Sequence, residues 1–336
     1  SIVITPRLSY NNETLEGLTV RWIEENITKE TPANFTLRIS DSPFNATFVL
    51  DGFLPCKPIV VLVVPGVDFT VIDVKGAVKR GDEYWTQSNS TVTLILNVHY
   101  KGGAPAVGVL VNDSYGKEAI VPEGGNVTLY YRGSDEVLNL SYAATKGNKK
   151  LIGGLNVTLV FTRIIVETLN VGGTPVGGMH WANSYSTVSV KVKISYSHSG
   201  KQAKGAVVSL LGYSAMAGED GIAIVNITGI DREYADSIVA NDGAIGGEGA
   251  RLVFLFTRIV LNLTREGYVI SVKAYWAHNN MPIENLRIRI FQTDQVGVTD
   301  SGGEARFIVK GIGAELLVYA LDNPNGIYAR EVTIPL

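Results

Sequence analysis

A four-residue phrase recurs along this chain at a near-constant interval. Phe69-Thr70-Val71-Ile72, Phe161-Thr162-Arg163-Ile164 and Phe256-Thr257-Arg258-Ile259 are separated by 92 and 95 residues. Such a period restricts the fold to copies of one structural unit. The same succession follows each phrase. Trp85 and Trp181 stand six residues ahead of Thr91-Val92 and Thr187-Val188, which open two alternating stretches, 91–100 and 187–196. Residues 268–275 are the counterpart in the third copy. A two-residue period sends neighbouring side chains to opposite faces, as in a half-buried strand. Second strands are expected over 106–111, 206–211 and 286–291. Third strands follow the turns Glu123-Gly124-Gly125, Glu219-Asp220-Gly221 and Asp300-Ser301-Gly302-Gly303. Acidic-glycine turns between alternating segments are a hairpin signal.

The first part of the chain is a shorter copy, with strands expected over 18–22, 34–39, 46–50 and 59–64. At 336 residues the chain exceeds what one core supports. Domains are expected at 1–68, 69–160, 161–255 and 256–336, the first and last without the Trp-bearing insertion. Many short strands with regular turns specify an all-β chain of two-sheet sandwiches. Only 22–30 and 230–240 leave room for a helical turn. The pattern resembles the tandem immunoglobulin-like domains of bacterial and archaeal surface proteins, the invasin/intimin type most nearly. Met281-Pro282-Ile283-Glu284-Asn285-Leu286 and Gly297-Val298-Thr299-Asp300-Ser301-Gly302 carry that likeness. It implies four tandem Ig-like domains that act as spacers or building blocks, not as catalysts.

The joints lack the Gly, Ser or Pro of flexible linkers. Residues 155–166 and 251–261 cross their boundaries as strand-formers. Each joint is either one continuous strand or two strands bent at Thr162 or Thr257, and both imply a rod. Val64-Pro65-Gly66-Val67 is the exception and the expected bend.

Half of the 22 asparagines stand in Asn-x-Ser/Thr sequons: Asn12, Asn26, Asn34, Asn45, Asn89, Asn112, Asn126, Asn139, Asn156, Asn226 and Asn262. Random placement gives roughly 3. Strand alternation explains the spacing but not the choice of Asn followed by Thr. N-glycosylation therefore becomes an expectation, and with it an extracellular location. No signal peptide opens the chain, which then reads as a mature product. The single cysteine, Cys56, excludes an internal disulfide, so packing must hold the domains. Dense sequons, no disulfide and short connections together suit a thermophilic archaeal surface.

Net charge is −3 without a basic block, against a nucleic-acid partner. The longest apolar run, 58–67, is too short to span a bilayer. His99, His180, His198 and His278 show no zinc spacing, and their offsets from Tyr100, Tyr196 and Tyr275 place them at different positions of the repeat. No nucleophile elbow, phosphate loop or dinucleotide fingerprint occurs, so no enzyme is expected. Residues 241–248 and 300–304 offer oxygens to calcium, with turn chemistry as the rival. Tyr84, Trp85, Trp181 and Tyr185 can form a sugar-binding aromatic face or simply pack the insertion.

These observations imply a cell-surface structural protein that polymerises with itself, as a filament or S-layer-like lattice. The alternatives are an adhesin or stalk binding a cell-surface glycan or host surface, and a non-catalytic module of a secreted hydrolase. Polymer contact is expected at the segment Ser1-Ile2-Val3-Ile4-Thr5, inserted as a strand into a neighbouring copy.

Overall fold

The computed structural model describes residues 2–6, 9–10, 13–14, 16–37, 44–51, 57–310, 315–329 and 331–335. No α-helix occurs among them, and no helix is long and apolar enough to cross a membrane. The chain divides into two compact units, Ser1–Phe161 and Thr162–Leu336. Both are built of two-sheet β-sandwiches.

In the first unit, Ile2–Ile4 pairs with Phe35–Leu37. Facing them is a four-stranded sheet in the order Ile27–Glu30, Thr19–Trp22, Phe44–Leu50, Ile59–Val63. Trp22, Phe35 and Phe48 close the core between them, with Phe35 edge-on to Phe48 at 5.2 Å. The next sandwich sets Val67–Lys75, Thr91–Tyr100 and Asn126–Arg132 against a larger sheet containing Glu83–Gln87, Leu155–Thr162, Glu136–Lys146 and Leu110–Asn112. Thr91–Tyr100 buries every second residue, so Val92, Leu94, Leu96 and Val98 are fully enclosed. Each such side chain contributes about 1.5–3 kcal/mol of burial.

The second unit repeats the plan. Ile164–Val171, Thr187–Tyr196 and Ile222–Thr228 form its first three-stranded sheet. The sheet opposite runs Thr174–Val176, Met179–Asn183, Gly246–Thr257, Arg232–Asn241, Val207–Leu210, Tyr213–Met216. In the last sandwich Ile259–Glu266, Val269–Trp276 and Glu304–Ile308 face Gln295–Val298, Arg287–Ile290, Glu315–Ala320 and Val332–Pro335.

The joints resolve the choice left by the sequence in favour of two strands. One strand ends at Thr162 and the next begins at Ile164; likewise Thr257 and Ile259. At three joints the residue before the opening strand accepts an amide from the corner of its own sandwich: Lys101 N–H to Gly66 O, Ser197 to Arg163 and Ala277 to Arg258, at 3.0, 2.9 and 3.0 Å. The two stretches that left room for a helical turn, 22–30 and 230–240, are strand and turn, because their backbone groups are paired between Thr19–Trp22 and Ile27–Glu30 and between Arg232–Asn241 and Gly246–Thr257. Among the described residues the only helical elements are two short 3₁₀ turns, Phe291–Thr293 and Pro324–Gly326.

The third copy's alternating strand is Val269–Trp276, one residue later than the sequence suggested. Ile164 pairs with Tyr196 and Ile259 with Trp276, so Trp276, not Tyr275, is the equivalent of Tyr196. His198 and His278 therefore do share one position, two residues beyond.

The acidic-glycine turns have a common cause. Val98, Ile194 and Ala274 each donate N–H to the turn glycine (Gly125, Gly221, Gly303) at 2.8 Å. Gly221 is held at φ +71°, and a Cβ there would lie 2.6 Å from the Ile194 carbonyl oxygen. Gly221→Ala combines a left-handed backbone with a backbone clash and is expected to cost about 2 kcal/mol or more, read by denaturant unfolding of the second unit.

Candidate functional site

Of the eleven sequon asparagines, Asn12 lies outside the described residues. Asn26 and Asn89 sit in left-handed turns with φ +51° and +64°, which asparagine tolerates. Asn34, Asn45, Asn126, Asn139, Asn156, Asn226 and Asn262 are exposed as well, and Asn112 is half-buried with its carbonyl oxygen enclosed and unpartnered.

Three sequons interlock on one sheet face of the first unit. Asn139 is opposite Thr158, and Ser141 opposite Asn156. Thr158 Oγ1 donates to Asn139 Oδ1 at 3.2 Å and Ser141 Oγ to Asn156 Oδ1 at 2.9 Å. Ser114, from the Asn112 sequon, donates to the Asn139 carbonyl and accepts the Ser141 N–H. Each hydroxyl thus serves a neighbouring sequon, which cross-strand register alone produces and spacing along the chain does not reveal. The corresponding positions of the third sandwich are Ser209, Ala235 and Arg251.

Ser1 lies outside the described residues. Ile2–Ile4 pairs antiparallel with Phe35–Leu37 of its own sandwich, and Thr5 Oγ1 donates to Asn34 Oδ1 at 2.6 Å. Cys56 is likewise outside the described residues.

The oxygens considered for calcium serve their turns. Asp300 Oδ1 accepts N–H from Gly302 and Glu304, both at 2.9 Å. Asp242 Oδ1 accepts from Ala244 and Ile245, and its Oδ2 accepts the Tyr196 hydroxyl at 2.6 Å. Among the described residues no three His, Cys, Asp or Glu side chains gather as a metal group.

The four aromatic residues singled out do not make one face. Trp85 donates to Glu83 at 2.9 Å beneath the Arg80 guanidinium, and Tyr84 lies under Lys79. In the second unit Trp181 and Tyr185 line different clefts. Trp181 stands on Met179–Asn183, which runs parallel to Gly246–Thr257. That pairing carries the indole out of its own sandwich onto the core of the next. There it meets Trp276 edge-on at 5.1 Å and His278 at 5.9 Å. His278 Nδ1 lies 3.0 Å from Thr257 Oγ1. Asn183 completes the clamp, donating to Gly326 O and accepting the Tyr328 N–H. Trp181 is therefore an inter-sandwich wedge, bordered by a cleft of about 400 Å³ with Glu233, Met281 and Pro282 at its rim.

No protein-family model matches the chain, and no curated protein resembles it in sequence. Solved structures similar to it include the adhesin FdeC of Escherichia coli, 11% identical over 81% of this chain and 96% of that one, with a TM-score of 0.30. A bacterial ice-binding adhesin is 15% identical over 80% and 96%, with a TM-score of 0.29. Fibronectin(III)-like modules of CbhA from Clostridium thermocellum are 12% identical over 56% and 93%, with a TM-score of 0.32.

Burial among indoles holds the His278 pKa below its ordinary value, against a weaker opposing pull from Asp231. The unfolded chain then binds a proton more readily than the folded one. Stability from this clamp is complete above about pH 6.5 and declines as pH falls from there towards the lowered value. His180, held low by burial against Phe254, works in the same direction. His278→Gln should reduce the acid sensitivity of the second unit's melting temperature, leaving the parts due to His180 and to Asp322 and Glu304, whose carboxyls Arg287 and Arg306 hold below their ordinary values.

Proposed function

We propose that this chain is an extracellular, N-glycosylated structural protein that assembles with copies of itself at a cell surface, as a filament or an S-layer-like lattice. One observation carries the reading: where the sequons lie. Nine of the eleven precede residue 160. In the second unit Asn226 and Asn262 both stand on three-stranded sheets, and its two larger sheets carry none. Glycans are bulky and exclude partners, so sequon-free faces are the ones left for subunit contact. These faces are also apolar in places. Val207 is paired with Met216, which is 70% exposed, and Val239 lies opposite Ser209, two residues along; Val296 and Val298 are open on the last sandwich. Large apolar side chains gathered on a face free of sequons suit association.

The Ser1–Thr5 segment keeps a part in this proposal with its role altered. Donating it to a neighbour would first break its pairing with Phe35–Leu37, so Ile2–Ile4 serves better as an edge that receives backbone hydrogen bonds. The second reading, a surface adhesin or carbohydrate-binding stalk, is favoured by the aromatic clefts of the second unit. The two readings predict different solution behaviour, since a lattice protein orders alone and an adhesin awaits its ligand.

Negative-stain electron microscopy of native protein should show ordered assemblies, and intact-mass analysis should show glycan at exposed sequons. Met216→Glu combined with Val239→Glu should leave the melting temperature within a few degrees and abolish the assemblies. A native protein that stays monomeric at high concentration, or a double variant that assembles normally, overturns the reading.

A further inference from the structure

The third sandwich carries a second cleft, of about 430 Å³, lined by Tyr185, Leu211, Tyr213, Ile230, Arg232 and Tyr234. Its backbone is unusual. Tyr185 and Leu211 adopt left-handed conformations, φ +68° and +52°, and so does Asp231 between Ile230 and Arg232, at +40°. Asparagine and aspartate tolerate this region; a bulky side chain there costs of order 1–3 kcal/mol. The comparison lies within the chain. Asn89, four residues after Trp85, holds φ +64°, and Tyr185, four residues after Trp181, occupies the same place. An aromatic ring stands where asparagine would be relaxed, and it is 63% exposed, so burial does not repay the strain. Strain of this kind, with no packing gain, points to a ligand.

The polar groups define that ligand. The Arg232 guanidinium lies 4.6 Å over the Tyr234 ring and pairs with no carboxylate among the described residues. Neighbouring Asp231 is instead engaged by Arg258 at 3.1 Å and by the Ser184 hydroxyl. The Tyr234 hydroxyl accepts the Ile230 N–H at 3.1 Å, which leaves its own proton for a ligand. Tyr213 OH shares a 2.7 Å hydrogen bond with Thr228 Oγ1. The cleft thus offers three phenol rings, one cation without a carboxylate partner and a phenolic O–H.

We propose that this cleft binds an acidic sugar, a hexuronate residue of a glycan. Its C–H face stacks on Tyr185, its carboxylate meets Arg232, and the Tyr234 O–H donates to a ring hydroxyl. A guanidinium takes a carboxylate through two parallel hydrogen bonds, and a cleft of this size admits one or two sugar rings. A neutral sugar would leave the Arg232 charge without a counterpart. The proposal stands apart from the assembly reading, since a binding cleft serves a monomer or a lattice equally.

Isothermal titration of the full chain with tetragalacturonate and with neutral galactotetraose tests it. The acidic oligosaccharide should bind at least tenfold tighter. Arg232→Gln should remove that preference without lowering the melting temperature. Tyr185→Asn should abolish binding and raise the melting temperature, because it relaxes the backbone. Equal affinity for the two oligosaccharides, no binding of either, an Arg232→Gln variant that keeps its preference, or a Tyr185→Asn variant that melts lower overturns the proposal.

Discussion

A single residue, Arg258, separates the strand that closes the third sandwich from the one that opens the fourth. Everything nearby follows from that economy. A strand cannot bend from one sheet into another without freeing backbone groups, and those groups must find partners. Arg258 gives its carbonyl to Ala277, and Thr257 gives its own to Ser184. Thr257 itself is fully buried, its hydroxyl close to the His278 ring. A β-branched residue suits the extended backbone, and its hydroxyl satisfies a neighbour that a valine would leave unpaired. Phe-Thr-Arg-Ile at 161–164 and 256–259 is thus the sequence trace of a corner, whereas Phe69-Thr70-Val71-Ile72 lies inside Val67–Lys75 and the matching corner is Gly66.

The hairpin inserted after the opening strand acquires its meaning from the same corner. Thr174–Val176 and Met179–Asn183 extend the larger sheet and deliver Trp181 and Asn183 to the next sandwich. The last sandwich has no such hairpin; Glu266-Gly267-Tyr268 turns directly into Val269–Trp276. The sequons show a similar division. On the second sandwich they link in register across strands; on the larger sheet of the third, the same positions are occupied by Ser209, Ala235 and Arg251.

Much of the fold was legible because period-two burial is a local property. Thr91–Tyr100 and Thr187–Tyr196 stand where alternation put them. The third copy slipped by one residue, since Tyr275 and Trp276 are adjacent aromatics and only pairing with Ile259 chooses between them. That slip hid the equivalence of His198 and His278. The site was less legible than the fold. Sequons announce themselves in three residues, but their interlocking depends on which residues face each other across strands. Tyr185 could be noted as an aromatic, yet its left-handed backbone appears only once the turn after Met179–Asn183 is in place. Leu211 and Arg232 gave no local signal, because the cleft unites three turns far apart in sequence.

The parallel pairing of Met179–Asn183 with Gly246–Thr257 has a mechanical consequence. Tension along the chain enters this sandwich ahead of the first strand and leaves at the end of the second. Two parallel strands pulled from opposite ends slide past each other and load every hydrogen bond between them at once. An antiparallel hairpin pulled at its open end parts one bond at a time. The register that carries Trp181 to its neighbour thus also joins these two strands as a tie-bar does, yielding all together or not at all.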